Sequence, residues 1–459
     1  MIHQYNLLGL NIVMDVYSGA VHLADDVMYE MLFYLDEPFV PEEKCPEKVK
    51  KMIGDKYSDE ELEEAYADVV ELYNKGQLFT EDSYAEIAKK WKKQSVVKAL
   101  CLHVAHDCNL RCKYCFGDTG EFNGPRGLMS AEVGKKAIDF VIENSGSRRN
   151  IEIDYFGGEP LMNFGVVKEI TDYAKEQGAK HNKNFRFTLT TNGLLLNDKI
   201  QEYLNENMSN VVLSIDGRKE TNDRMRYRVD GTGCYDDIVP KFKKLAESRN
   251  QDNYYVRGTF TAENLDFKKD VMHLADLGFK QTSVEPVVTP ETNKFALLKK
   301  HLPQLYKEYE DLAEEYVQRR KDGKGFNFFH FMVDLDQGPC VIKRLSGCGA
   351  GNEYLAVSPE GDIYPCHQFV GNKKFLMGNV KDGTIDSKIR SSFEKSNVYT
   401  KDKCSNCFAK FYCSGGCSAN AYNFNKDINE PYELACDLEK KRVECAIAIE
   451  AKLRVEGLK

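Results

Sequence analysis

The sequence of 459 residues predicts an α/β protein, and two of its features support this fold class. From about residue 96, short apolar segments rich in β-branched and aromatic residues alternate with longer segments of helical periodicity. Six such repeats predict a parallel sheet curved into a partial (β/α)6 barrel of the TIM type, with functional loops at the carboxyl ends of the strands. Short strands and helices precede this unit, and a segment rich in cysteine, glycine and asparagine follows it.

The N-terminal segment, residues 1–94, is expected to form a small α+β domain with three strands. Ser58 and Glu61 fit a capping box at the start of a helix that carries an apolar stripe and ends at Gly76. A lysine-rich stretch at 89–93 is interpreted as a linker. The other elements expected in this segment are three strands and one helix, at Tyr5–Leu10, Asn11–Tyr17, Ala20–Leu23 and Val27–Leu35.

The barrel unit is assigned to residues 95–322. Its expected strands are Val96–Ala105, Ile151–Phe156, Phe185–Thr191, Val211–Ile215, Tyr254–Thr261 and Gln281–Val287. Its expected helices include Ser130–Glu143, Val166–Glu176, Asp236–Ser248 and a long one at Leu297–Lys321. Residues 323–346 are assigned to a bridging region and 347–459 to the cysteine-rich domain. The weak hydrophobic pattern of this last domain predicts little apolar core, so that bound metal would order it before a final helix at Asp437–Arg454.

Composition and charge restrict the possible partners. No segment approaches the ~20 apolar residues that span a membrane, and no basic region precedes an apolar run at the N-terminus. Fifteen cysteines without a secretion signal are more typical of metal ligation in a reducing cytoplasm than of disulfides. The net charge is −9, and residues 1–95 hold 20 acidic residues against 10 lysines. The sequence therefore predicts a cytoplasmic protein that binds neither membrane nor nucleic acid, because no basic excess exists to neutralise phosphates.

The run from His106 to Phe116 contains the most informative motif. Cys108, Cys112 and Cys115 form a CxxxCxxC cluster directly after the first expected barrel strand. Three thiolates at this spacing can hold three corners of a cubane iron–sulfur cluster and leave the fourth iron open to another ligand. A zinc site is the alternative, although zinc more often uses a CxxC pair with a second pair downstream.

This motif resembles that of the radical S-adenosylmethionine (SAM) enzymes, and the later barrel loops strengthen the resemblance. Gly157, Gly158 and Glu159 begin a GGEP loop after the second strand, which in that family holds the SAM methionine amino group. The resemblance assigns the remaining SAM contacts to Tyr114, Asn192, Ser214, Asp216 and Arg226, with Ser214 and Asp216 near the ribose. Arg226 would pair with the SAM carboxylate through its planar fork, a role for which Arg224 and Arg228 compete.

The C-terminal cysteines resemble the seven-cysteine SPASM domain, which carries two auxiliary [4Fe–4S] clusters. By position in the motif, auxiliary cluster I is assigned to Cys348, Cys366 and Cys417. Auxiliary cluster II is assigned to Cys404, Cys407, Cys413 and Cys436. Zinc is the alternative for the CxxC pair. The resemblances together imply three [4Fe–4S] clusters and bound SAM.

Two departures from the sulfatase-maturing relatives bear on the reaction. Those enzymes place an extra cysteine between the positions of Cys348 and Cys366, and this chain has none there. Cluster I then has either an open iron or Cys340 as its fourth ligand. The relatives also have an aspartate base after the cysteine that corresponds to Cys366, where this chain has His367. His367 is accordingly the candidate base, and a formylglycine-forming reaction is disfavoured.

The whole arrangement resembles maturases that install thioether cross-links in cysteine-rich ribosomal peptides, the SCIFF-peptide and sactipeptide type. That resemblance implies a precursor peptide whose leader segment binds the acidic winged-helix-like N-terminal domain. It also implies a flavodoxin- or ferredoxin-type reductant. Reductive cleavage of SAM would give a radical that abstracts hydrogen from the acceptor carbon, which a peptide cysteine then joins. The alternatives are another radical SAM/SPASM modification, a carbon–carbon cross-link or Cys/Ser oxidation, and a non-catalytic zinc scaffold.

Overall fold

The computed structural model describes residues 1–90, 96–336 and 344–458. Residues 91–93 of the expected linker and Cys340 of the bridging region lie outside this part of the chain. Within it, no helix is long and apolar enough to cross a membrane.

A parallel sheet forms the centre of the protein, as the alternating pattern predicts. Its strands follow one another in chain order, and each expected strand overlaps an observed one. They are β4 (Ala99–His106), β6 (Asn150–Gly157), β7 (Asn184–Thr191), β8 (Asn210–Ser214), β9 (Tyr254–Phe260) and β10 (Gln281–Pro286). Two short strands flank them: β5 (Gly127–Leu128) pairs with β4, and β11 (Asn327–Phe328) pairs with β10. Within the described ranges β4 and β10 do not pair with each other, so the sheet is open.

Helices connect these strands, and most of them bury an apolar face against the sheet. They are α5 (Ala131–Asn144), α6 (Phe164–His181), α7 (Asp198–Asn207), α8 (Lys219–Met225), α9 (Tyr235–Ser248), α10 (Phe267–Asp276) and α11 (Leu302–Lys321). Ser130 caps α5 by accepting a hydrogen bond from the amide of Val133. The long helix α11 begins five residues later than the pattern indicates, because Pro303 lies in its first turn and a 3-10 turn precedes it.

The sheet continues into the cysteine-rich region, which the sequence pattern did not predict. Strand β12 (Tyr354–Val357) pairs in parallel with β4, and β13 (Asp362–Tyr364) and β14 (Gly378–Asn379) extend the sheet antiparallel. The expectation of little apolar core is wrong here, since a buried cluster joins Phe369 and Phe393 to Phe122 and Cys101 of the barrel unit. Nonlocal pairing with β4 therefore contributes to the order of this region, for which the sequence pattern indicated only bound metal.

The remaining C-terminal elements are short helices followed by one long helix. They are α12 (Ser387–Lys395), α13 (Asp402–Ser405), α14 (Lys410–Cys413), α15 (Ser418–Asn425) and α16 (Glu433–Val455). Helix α16 contains the expected helix Asp437–Arg454 and packs along α11. Arg442 of α16 donates to His330 and lies 3.9 Å from Glu285 Oε2 of β10, so polar contacts also connect the last helix to the barrel unit.

The N-terminal segment is an antiparallel three-stranded sheet with four helices. The elements are β1 (Ile2–Leu7), β2 (Leu10–Asp15), β3 (Val21–Ala24), α1 (Asp26–Met31), α2 (Glu47–Ile53), α3 (Asp59–Asn74) and α4 (Tyr84–Lys90). The expected strand Tyr5–Leu10 is interrupted by a two-residue hairpin turn at Leu8 and Gly9, both with positive φ. The expected helix Val27–Leu35 is shorter in the structure, because α1 ends at Met31. Beyond it, the ring of Phe39 stacks on that of Phe79. The capping box at Ser58 and Glu61 is confirmed.

This N-terminal sheet shares an apolar core with the C-terminal region. Ile12 and Met14 of β2 pack with Phe411 and Ile447, as does Val16 just after the strand. Val13, on the opposite face, packs with the helices α1 to α3. Strand β2 is therefore buried on both faces, and the segment does not stand apart from the rest of the protein.

A buried ion pair reinforces this junction. Lys410 is 1% exposed, and its Nζ donates to Asp82 Oδ2 at 3.2 Å and to the carbonyl of Ser405 at 3.0 Å. The ammonium also lies 4.6 Å from the ring centroid of Tyr17. Asp82 precedes α4, so the contact fastens the N-terminal segment to the cysteine-rich region.

We expect Lys410→Met to loosen this junction, because Asp82 would lose its buried partner. The free energy of local opening around α4 should fall by about 1–3 kcal/mol, seen as faster amide hydrogen exchange in that helix. Lys48→Met is the matched control, since its pair with Asp36 is exposed and contributes at most about 1 kcal/mol. Equal exchange rates in α4 for both variants would contradict the assignment.

Candidate functional site

The loop after β4 carries three cysteines and is held against a second segment of the barrel. The amide of Arg111 donates to the carbonyl of Tyr227, and the amide of Lys113 donates to the carbonyl of Met225. A β-bridge between Leu110 and Arg228 continues this pairing. The backbone therefore places the segment that contains Arg226 directly beside the CxxxCxxC motif, although more than a hundred residues separate the two in sequence.

One cavity at the carboxyl ends of the strands brings most of the predicted residues together. We call it the Cys108 cavity; its volume is about 280 Å³. Its lining includes all three cysteines of the motif and most of the predicted SAM contacts: Cys108, Cys112, Cys115, Tyr114, Gly157, Gly158, Glu159, Asn192, Ser214 and Arg226. Asp216 does not line it, and His367 of the cysteine-rich region does.

Asp216 lies behind Tyr114 and orients it. The hydroxyl of Tyr114 donates to both carboxylate oxygens of Asp216, at 2.7 and 2.8 Å, and accepts from Arg226 at 2.9 Å. Burial raises the pKa of Asp216 to about 6, against the opposing effects of the Arg226 charge and the Tyr114 hydrogen bond. Asp216 thus acts on the cavity through Tyr114 and Arg226.

Glu159 is likewise occupied by internal contacts. Its carboxylate accepts from the amide of Asn192 at 2.7 Å, from the amide of Leu161 at 3.0 Å and from the hydroxyl of Thr191 at 2.8 Å. Burial raises its pKa, and these donors oppose the shift. Asn192 in turn donates to Cys108 Sγ at 3.7 Å. Glu159 therefore fixes the loop after β7 so that Asn192 reaches the first cysteine of the motif.

The cavity can be tested for its fit to an iron–sulfur cluster and SAM. Burial raises the pKa of Cys108 to about 11 and that of Cys112 to about 12, so these thiols keep their protons at neutral pH until a metal displaces them. Arg226 is buried with its Nε lacking any hydrogen-bond partner, which leaves a donor for a ligand acceptor. A Cβ at Gly158 would lie 2.1 Å from the carbonyl oxygen of Asp107, so only glycine allows this close approach. The donor set and the backbone fit both groups.

His367 enters the Cys108 cavity from the cysteine-rich region. Its ring lies 5.2 Å from that of Phe156 and 5.7 Å from that of Phe116, and its Nδ1 is 3.1 Å from the hydroxyl of Tyr354. Burial, and secondarily the charge of Arg257, lowers its pKa to about 4. The imidazole is neutral at pH 7 and can accept a proton, although only as a weak base.

Four of the C-terminal cysteines surround a second cavity, the Cys404 cavity, of about 340 Å³. They are Cys404, Cys407, Cys413 and Cys436, the set that the sequence assigned to auxiliary cluster II. Helices α13 and α14 present Cys404 and Cys413, the loop between them presents Cys407, and the first turn of α16 presents Cys436. Burial raises the pKa of Cys413 to about 12 and of Cys436 to about 11, as at the first motif.

The remaining set, Cys348, Cys366 and Cys417, also comes together. Burial raises the pKa of Cys366, and the proximity of Cys417 and Cys348 raises it further. The side chain of Gln368 lines the Cys108 cavity and its Nε2 donates to Cys417 Sγ at 3.8 Å. This set is therefore next to the cavity of the first motif. In the described ranges, no three His, Cys, Asp or Glu side chains are grouped tightly enough to hold a single metal ion.

Sequence reasoning missed a charged pair on the floor of the Cys108 cavity. Arg257 and Glu285 line it, with Arg257 Nη2 3.4 Å from Glu285 Oε1. His330 contacts the same Glu285 oxygen at 3.3 Å, and Arg442 donates to His330 Nδ1 at 2.8 Å. Burial raises the pKa of Glu285, but the contacts with His330, Arg257 and Arg442 outweigh it and lower the pKa overall. Arg257 and Glu285 are the single charged residues of β9 and β10, and this was the available signal.

A third cavity adjoins the first. The Lys299 cavity has a volume of about 960 Å³ and shares Tyr114, Cys115, Phe116 and Val288 with the Cys108 cavity. It also shares Lys403 and Glu433 with the Cys404 cavity. It is large enough for several residues of an extended peptide and lies between two of the three cysteine sets.

Comparison with known proteins agrees with this arrangement. Residues 102–293 match the Radical SAM superfamily, and residues 348–408 match the SPASM iron–sulfur cluster-binding domain. The radical SAM cyclopropyl synthase TigE of Paramaledivibacter caminithermalis is 23% identical over 365 residues, which are 75% of this chain and 72% of that protein.

Two solved structures share the fold. Native anSMEcpe with bound AdoMet superposes with a TM-score of 0.64 at 21% identity, covering 77% of this chain and 97% of that one. Streptococcus suis SuiB bound to the precursor peptide SuiA superposes with a TM-score of 0.51 at 18% identity, covering 93% and 96%. The chain thus contains a radical SAM domain, whose cysteine motif opens into the Cys108 cavity, followed by a SPASM iron–sulfur domain.

Proposed function

We propose that this protein is a radical SAM peptide maturase that joins a cysteine sulfur to a carbon of an acceptor residue within one cysteine-rich precursor peptide. One observation carries the proposal: Gln368 lines the Cys108 cavity and also contacts Cys417, so the cysteine set of auxiliary cluster I adjoins the radical site. A peptide thiol held at that set would be close to a carbon that reacts in the cavity.

The proposal assigns three cluster sites and one SAM site to this chain. Cys108, Cys112 and Cys115 would hold the cluster that binds SAM, and the two C-terminal cysteine sets would hold auxiliary clusters I and II. Arg226 would bind the SAM carboxylate, and Gly157 and Gly158 would admit its amino group. When bound, these groups supply a carbon-centred radical that takes one hydrogen atom from the peptide, and an acceptor for the remaining electron.

The residues of the chain supply position, a dry site and a proton acceptor. Phe116, Phe122 and Phe156 form an aromatic wall of the Cys108 cavity, which limits the access of water to a radical. Thioether formation removes two hydrogens from the peptide, one as an atom from carbon and one as the thiol proton together with an electron. His367 is the proposed acceptor of the thiol proton, because it lines the cavity next to Cys366.

The fourth ligand of auxiliary cluster I is proposed to be the substrate thiolate. The chain has no cysteine between Cys348 and Cys366, and a metal-bound thiolate loses its proton and is fixed in place. Cys340 is the competing fourth ligand and lies outside the described residues.

The peptide is proposed to enter through the Lys299 cavity. Its walls contain aromatic rings, among them Phe424 and Tyr432, which stack 3.7 Å apart, and a charged group around Glu433. Lys299 and Lys403 pair with Glu433 at 2.8 and 2.7 Å. The N-terminal acidic segment is proposed to bind the leader part of the peptide, and a flavodoxin- or ferredoxin-type protein to supply electrons.

Another radical SAM/SPASM reaction is the second candidate. The relative TigE is named a cyclopropyl synthase, and such a product contains new carbon–carbon bonds. A carbon–carbon cross-link leaves peptide cysteines free, whereas a thioether consumes them, so the fate of the thiol separates the two reactions. A zinc scaffold without chemistry would leave the peptide unchanged.

We expect the anaerobically reconstituted protein, with SAM and a chemical reductant, to remove two hydrogens per cross-link from a cysteine-rich precursor peptide encoded beside its gene. Mass spectrometry after thiol alkylation should show one alkylation fewer for each cross-link, because the sulfur is bonded to carbon. The same loss of hydrogens with every thiol still alkylated would favour the carbon–carbon reaction. An unchanged peptide mass, with SAM cleaved, would contradict the choice of substrate.

The proposed role of Arg226 in SAM binding can be distinguished from that of the two neighbouring arginines. Arg226→Lys should weaken SAM binding by at least about tenfold, or about 1.4 kcal/mol, because lysine lacks the planar fork. Arg224→Lys and Arg228→Lys should leave the affinity unchanged, since Arg224 donates to the carbonyl of Glu263 and Arg228 pairs with Asp237. Equilibrium dialysis of reconstituted protein with labelled SAM measures all three. An equal loss in either control would contradict the assignment.

A further inference from the structure

Lys401 is a buried cation without a carboxylate partner. It is 3% exposed, and its Nζ donates to the carbonyl oxygen of Gly415 at 2.8 Å. Among the described residues, no Asp or Glu lies within ion-pair distance of it. Burying an ammonium beside one neutral acceptor is costly, and a nearby anion would offset its desolvation and keep it charged.

Lys401 lies close to both C-terminal cysteine sets. It is the N-cap residue of α13, which carries Cys404, and its carbonyl accepts from the Cys404 amide at 2.8 Å. The Gly415 carbonyl that it contacts lies midway in sequence between Cys413 of one set and Cys417 of the other. The ammonium is therefore beside the turn where the two sets meet.

The turn that Lys401 contacts has an unusual backbone conformation. Ser414, Gly415 and Gly416 all have positive φ, at 60°, 86° and 71°, a run that favours glycine. A Cβ on Gly415 would lie 3.4 Å from Lys401 Nζ, an ordinary van der Waals distance, so the positive φ and not the space favours glycine here. Burial lowers the pKa of Lys401, and thiolates at Cys404, Cys413, Cys417 and Cys436, which belong to both sets, would oppose that shift.

We propose that the Lys401 ammonium lies between the two auxiliary clusters and raises the reduction potential of both. The inference rests on the proposed assignment of clusters to these cysteines. A cubane with thiolate ligands gains negative charge on reduction, and a nearby buried cation stabilises the reduced state more than the oxidised one. Lys401 would thus favour electron uptake by the SPASM domain. The anionic clusters would in turn supply the counter-charge that no carboxylate among the described residues gives it.

Two other lysines in this region differ from Lys401 because a carboxylate neutralises each of them. Lys410 is buried but already neutralised by Asp82. Lys403 is only two residues from Lys401, but it is half exposed and pairs with Glu430 and Glu433. Solvent and these carboxylates screen Lys403. Lys403→Met therefore serves as the matched control for loss of a lysine charge next to Cys404.

The test uses full-length protein in which Cys108, Cys112 and Cys115 are replaced by Ala, so that only the auxiliary clusters contribute to the spectrum. Lys401→Met, Lys401→Arg and Lys403→Met are introduced into it, and redox titration monitored by electron paramagnetic resonance gives the midpoint potentials. Lys401→Met should lower both by at least 59 mV, a tenfold change in the ratio of reduced to oxidised cluster for one electron. Lys401→Arg and Lys403→Met should each shift them by less than half of that.

Unchanged midpoint potentials in Lys401→Met would overturn the proposal. Equal shifts in Lys401→Met and Lys401→Arg would overturn it too, because they would show that altered packing and not the lost charge changes the potentials. If Lys401→Met and Lys401→Gln both lose auxiliary iron while Lys401→Arg keeps it, the charge requirement is supported; iron loss in all three overturns it. Absence of auxiliary iron from the parent protein would instead contradict the cluster assignment under the proposed function.

Discussion

The parallel pairing of β12 with β4 is the interaction on which the arrangement of the site depends. It matches Tyr354–Val357 to Ala99–Leu102, and it continues the barrel sheet into the cysteine-rich region. Because β4 leads into the CxxxCxxC loop and β12 leads through a hairpin to Cys366, one stretch of sheet positions two of the three cysteine sets. Without this pairing, His367 and Gln368 would have no fixed position at the Cys108 cavity.

The packing at this junction leaves little freedom for the two regions to separate. Phe122 of the cysteine loop lies in the same apolar cluster as Phe369 and Cys366. A Cβ at Gly371 would lie 1.9 Å from the carbonyl oxygen of Phe122, so the two loops touch through their backbones. Such contact suits a reaction in which a sulfur on one side must meet a carbon radical on the other, since small displacements reduce rates strongly.

The N-terminal segment is part of the same structure, which changes how the proposed leader binding can be tested. Its β2 strand packs Ile12 and Met14 against α14 and α16, and Tyr5 donates to the carbonyl of Glu444 at 2.9 Å. Removing residues 1–95 would expose this apolar face of the C-terminal region. Substitutions on the solvent side of the segment therefore test leader binding better than a deletion does.

The sequence predicted the local and periodic features and missed the nonlocal ones. The six barrel strands and the capping box at Ser58 follow from local pattern, and the resemblance to known cysteine motifs implied the grouping of the cysteines. The pairing of β12 with β4 joins segments about 250 residues apart, and no local pattern encodes it. The internal roles of Glu159 and Asp216 were not predictable either, because a motif does not show whether a carboxylate faces a ligand or the backbone. Arg257 and Glu285 were detectable as charges within buried strands.

The iron content of defined cysteine variants tests the central claim most directly, namely that three separate cysteine sets each hold one cubane. The anaerobically reconstituted protein should contain about twelve irons per chain, and alanine substitution of any one set should remove about four and leave the rest. Retention of all iron after loss of Cys348, Cys366 and Cys417, or zinc in place of iron at the Cys404 set, would contradict the account.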